Sequence, residues 1–78
     1  MWTCEEERVV RALVGREKRI LLAHPRFGKI EFERSGEHSF IRRDVLSDER
    51  EVVETGVPPE AVVVAVFRAV QEGWKICR

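Results

Sequence analysis

The chain has 78 residues, 44% hydrophobic and 36% charged, with 14 Lys and Arg against 14 Asp and Glu. That length points to one domain over residues 1–78 with a small core, since so short a chain buries only about 60–65% of its unfolded surface. It excludes a dinucleotide fold, an α/β barrel and most scaffolds with a closed catalytic pocket.

The longest wholly apolar run, residues 61–67, is far below the ~18–20 residues that span a bilayer. No basic-then-apolar segment opens the sequence, so a cytoplasmic location and no membrane contact are expected. Asn and Tyr are absent, 11 of the 14 basic residues are Arg and 12 of the 14 acidic ones are Glu. This balance is thermophile-like, because ion-pair networks gain value with temperature. A GC-rich genome gives the same bias without heat.

In chain order, Thr3 and Glu6 stand at capping-box spacing and Glu5, Glu6 and Glu7 favour a helix start. Val9, Val10, Leu13 and Val14 form one stripe and Gly15 is a stop signal, so a helix is expected over about 3–14. A short apolar strand over 19–24 ends at Pro25. Residues 28–34 alternate, with Ile30 and Phe32 on one face and Lys29, Glu31 and Glu33 on the other. Ser35-Gly36 marks a turn, and 38–45 is the next strand, anchored by Phe40 and Ile41. Residues 51–54 read equally as a fourth strand or an irregular link. Pro58-Pro59-Glu60 opens a second helix, expected over 59–74, with Val63, Val66, Phe67, Val70 and Trp74 on its apolar side. The fold class is therefore α+β, α-β-β-β-α: a three-stranded, possibly four-stranded, antiparallel sheet with both helices on one face.

Charge is uneven despite the zero balance. Residues 16–43 hold eight basic and four acidic residues, net +4, whereas 44–60 hold one and six, net −5. A basic strand region can track a phosphate backbone, which makes Arg19, Arg26, Lys29, Arg34, His38, Arg42 and Arg43 the candidate nucleic-acid contacts. Glu31, Glu33 and Glu37 sit among them and would neutralise part of that surface. The element order is also that of double-stranded RNA-binding domains, without their lysine-rich helix motif.

Little points to chemistry. Cys4, Cys77, His24 and His38 make a zinc-like inventory, but no paired Cys or His knuckle exists and no metal site is expected. Cys4 and Cys77 are read as two reduced thiols, with a disulfide between the chain ends as the other option. There is no nucleophile elbow and no Gly-rich phosphate loop, so neither a cofactor nor a catalytic set is expected. The stretch Gly36-Glu37-His38-Ser39-Phe40 is loosely similar to the G-S-H-H-x-F stretch of HicA-type toxins, small ribonucleases with a catalytic histidine. Ser39 stands where their second histidine stands, and the phenylalanine comes one position early. The similarity covers five residues and does not assign the chain to that family, but it makes a ribonuclease centred on His38 the remote alternative.

The second helix is apolar nearly all round, and with Trp2 it offers more apolar surface than so small a domain hides. The favoured expectation is therefore a non-enzymatic regulatory or interaction module. It would bind protein or itself, as a homodimer, through Val62, Val64, Phe67 and Trp74. A nucleic-acid-binding domain is the alternative.

Overall fold

The computed structural model describes residues 4–77, the side chains of Cys4 and Glu6 excepted. The capping box at Thr3 and Glu6, the apolar role of Trp2 and the side chain of Cys4 thus lie outside the described residues. Seven elements follow: α1 (Cys4–Arg16), β1 (Arg19–His24), β2 (Gly28–Gly36), β3 (Ser39–Leu46), β4 (Glu51–Val57), α2 (Pro59–Gln71) and β5 (Lys75–Cys77). The class is α+β with two helices. The sheet has five antiparallel-paired strands in the order β4-β3-β2-β1-β5, not the three or four expected.

Two elements account for the difference. Residues 51–54 belong to a full strand, because the β3–β4 turn closes tightly. Glu49 adopts φ 69°, its N–H bonds the Leu46 carbonyl at 2.9 Å, and the Leu46 N–H bonds the Arg50 carbonyl at 2.8 Å. At the other end, α2 stops before Trp74. Gly73 takes φ 96°, its N–H reaches the Val70 carbonyl at 3.2 Å, and the Trp74 N–H reaches the Ala69 carbonyl at 3.0 Å. This paired arrangement is a Schellman stop, which only a left-handed residue such as glycine closes cheaply. It turns the chain back onto β1, where Ile76 pairs with Leu22.

The core lies on one face of the sheet. Ile20 and Leu22 of β1, Ile30 and Phe32 of β2 and Phe40 of β3 meet Val10, Leu13 and Val14 of α1 and Val62, Val63, Val66, Phe67 and Ala69 of α2. Both helices therefore pack on the same face. The helix start at Pro58-Pro59 needs no side-chain cap, since the Ala61 and Val62 N–H groups both reach the Pro58 carbonyl, at 3.0 and 3.2 Å. Arg11 ties α1 to this end of α2 through Glu60 Oε1 at 3.0 Å, with Glu7 Oε1 on its other side at 3.1 Å. Hydrogen bonds from Arg11, to Glu60 first and then Glu7, raise the guanidinium pKa above its ordinary value.

Candidate functional site

Strand parity decides where the candidate residues go. Phe32 pairs with Arg42 and Arg34 with Phe40, and cross-strand partners share a face. Arg34 and Arg42 therefore lie on the helix side of the sheet, among the core residues. The Arg34 guanidinium stands 4.7 Å from the Phe40 ring centroid and donates to the Val14 carbonyl at 2.5 Å, closing the end of α1. Arg42 stands 5.6 Å from the Phe32 ring centroid and holds Asp44 Oδ1 at 2.9 Å.

Arg19, Lys29 and Arg43 are on the opposite, open face. There Glu31 takes Arg19 on Oε2 at 3.0 Å and Arg43 on Oε1 at 2.9 Å. Glu51 takes Arg43 Nε at 2.8 Å, and Glu33 lies 3.8 Å from Arg19. These two arginines are spent on three carboxylates. Arg26 sits in the β1–β2 turn and His38 in the β2–β3 turn, at opposite ends of the sheet. The seven basic candidates thus divide between two faces and two ends rather than forming one surface. The imidazole of His38 is exposed and hydrogen-bonds no described residue.

The four apolar interface candidates also divide. Val62 and Phe67 are buried in the chain's own core at 0% and 3% exposure, so neither is open to a partner as expected. Helix α2 is rotated relative to the expected apolar side: Val62 points in and Val70 points out. Val64, 47% exposed, and Trp74 both line a groove of about 700 Å³ between α2 and the helix-side surface of β2 and β3. Ile30 and Leu46 border it below, and Ala61 and Ala65 form its wall beside Val64. The Arg42–Asp44 pair supplies a polar spot in this apolar setting, and Arg68 and Glu72 stand along α2.

One end of the groove is closed by a ring cluster built from a tight turn. His24 Nδ1 accepts the N–H groups of Arg26 and Phe27 at 3.0 and 3.3 Å, which holds the ring against the turn. Phe27 stacks on that ring with centroids 4.5 Å apart, and Trp74 tilts against it at 5.3 Å. Phe27 remains 56% exposed. Sequence reading passed over Phe27, although a phenylalanine in a Pro-Arg-Phe-Gly turn has no core to enter and is a visible signal of an apolar rim.

No three or more His, Cys, Asp or Glu side chains among the described residues group to hold a metal ion, and Cys77 carries a free, exposed thiol. No helix among the described residues is long and apolar enough to cross a membrane. No protein-family model, curated protein or solved structure matches the chain.

Proposed function

We propose that the chain is a non-enzymatic interaction module that binds protein through the groove between α2 and the β2–β3 surface. The observation that carries this reading is the groove itself, about 700 Å³, with exposed Val64 and Phe27 and the partly buried Trp74 along it. A continuous concave surface with apolar walls and a few fixed polar groups suits an apolar side chain or helix face from a partner. Arg42 and Asp44, held against each other, give that partner a donor and an acceptor to align on.

Selection from a random-peptide display library tests it, with the wild-type chain as bait and Val64→Glu as counter-bait. Val64 faces the groove, so the variant keeps the core. We expect apolar-anchored peptides that bind wild type at least about tenfold more tightly than Val64→Glu, roughly 1.4 kcal/mol. Peptides that bind both equally, or no enrichment, overturn the groove as the docking surface. Nucleic-acid binding is the competing reading. Anisotropy with duplex DNA and RNA at ~50 and ~200 mM salt separates the two, since a steep salt slope would favour phosphate contacts.

A further inference from the structure

We propose that the free edge of β4 pairs antiparallel with the β4 edge of a second copy, joining two five-stranded sheets into one of ten strands. Strand β4 is exposed at every residue but Val57, and Val52 and Val53 are 56% and 51% exposed on its two faces. The opposite edge, β5, has only three residues. An unpaired edge is a template for another strand unless bulges, prolines or charges block it. Residues 51–55 contain no proline, and the one irregularity of the β3–β4 ladder lies beyond Glu54.

Geometry restricts the register. The Arg50 carbonyl accepts from Leu46 on β3, so the main-chain groups of Arg50, Val52 and Glu54 turn inward, and those of Glu51 and Val53 turn to the free edge. Antiparallel pairing of two copies must match outward residues with outward ones. With Val52 on the two-fold axis, Glu51 meets Val53 of the second copy, and Val53 meets Glu51. On the helix side, Arg50 then meets Glu54 of the second copy and Glu54 meets Arg50. The run Arg50-x-Val52-x-Glu54 is complementary to itself under this rotation: cation, apolar centre, anion. Shifting the register by two residues one way places Glu51 opposite its own copy. Shifting it the other way leaves Arg50 opposite Gly56, without a carboxylate. The Glu54 carboxylate has no ion-pair partner among the described residues, and Arg50 holds only Asp48, an exposed neighbour in its own turn, at 2.6 Å.

The two-fold axis runs perpendicular to the sheet, so both copies keep their helices on the same side, and both α2 grooves lie on that side of the joint. The pairing does not depend on the groove binding a partner. An edge joint buries little area, so a weak dimer is expected, with Kd on the order of 10–100 µM.

Sedimentation of the full chain from ~5 to ~500 µM tests it. Val53→Pro removes an N–H aimed at the free edge and none used by β3, so a folded monomer is expected, with circular dichroism checking the fold. Arg50→Glu and Glu54→Arg each set like charges opposite each other and are expected to raise Kd at least about fivefold. The double variant Arg50→Glu/Glu54→Arg restores opposite charges across the axis and is expected to return Kd to within about twofold of wild type. A wild-type monomer throughout, a folded Val53→Pro dimer, or a double variant no better than the singles overturns the joint. If Val53→Pro fails to fold, the charge exchange decides. Dimerisation lost in Val64→Glu but kept in Val53→Pro would overturn the β4 joint and leave the groove reading standing.

Discussion

Strands β1 and β2 each give two side chains to the core beneath the helices, and β4 gives one, at its very end. Ile20, Leu22, Ile30 and Phe32 are each at most 9% exposed, whereas β4 buries only Val57. The core draws its sheet residues from β1, β2 and Phe40 of β3, and β4 adds only Val57 at its end, so most of β4 lies outside the core. The covered half holds the molecule together. The groove lies where α2 stands over β2 and β3, and the free strand edge lies at β4, so both surfaces offered for recognition border the core rather than form it.

The sharpest way to break this contrast is to truncate one side chain in each half. Phe32→Ala removes a side chain at 0% exposure and is expected to cost about 3–5 kcal/mol, enough to unfold much of so small a domain. Val53→Ala, on an exposed strand, is expected to cost within about 0.5 kcal/mol. Urea denaturation of both checks this, and similar losses would mean that β4 is as much a part of the core as β2.

Gly28 tests the seam between the halves. It sits at φ 112° where β2 pairs with the end of β3, and an added Cβ would collide with the Val45 carbonyl oxygen. Gly28→Ala is expected to lose about 1–3 kcal/mol, from both the conformation and the collision. Gly15→Ala is the control, because nothing lies within 4 Å of its added Cβ and it occupies the last turns of α1. That variant is expected to gain up to about 1 kcal/mol.

How far these assignments were legible depends on the kind of signal. The bounds of β1, and β2 and β3 to within two residues, follow from apolar alternation and turn residues. The expected helix runs to Trp74, past the stop signal at Gly73, and no strand is expected over Lys75 to Cys77, because a short edge strand has too few residues for a period to show. The placing of the basic residues was not legible, because Phe40 and Ile41 are neighbours on β3 that cannot both face the core, and the sequence does not show which one does. Once Phe40 points inward, Arg42 must follow it and Arg43 must oppose it. A basic stretch in the sequence thus becomes one arginine on a core ring and another in a carboxylate network. The groove was not legible at all, because it is set by how the helices sit over the sheet, which no local pattern encodes.

The smallest effects separate two arginines that look alike in the sequence. Arg34 belongs to the covered side, where it holds a helix-end carbonyl and an aromatic ring, neither of which has a net charge. Arg43 belongs to the open face, where it holds two carboxylates. Arg34→Ala is expected to cost about 1–2 kcal/mol, since it leaves a helix-end carbonyl without its donor and uncovers Phe40. Arg43→Ala is expected to cost no more than about 1 kcal/mol, because its pairs are partly exposed and screened. Salt gives the clearer distinction. Raising the concentration from ~0.05 to ~0.5 M shortens the Debye length from roughly 14 to 4 Å. The cost of Arg43→Ala should then shrink toward zero while the cost of Arg34→Ala holds. Equal salt sensitivity would mean that both arginines act as surface charges, and that the helix side of β3 is solvated like the open face.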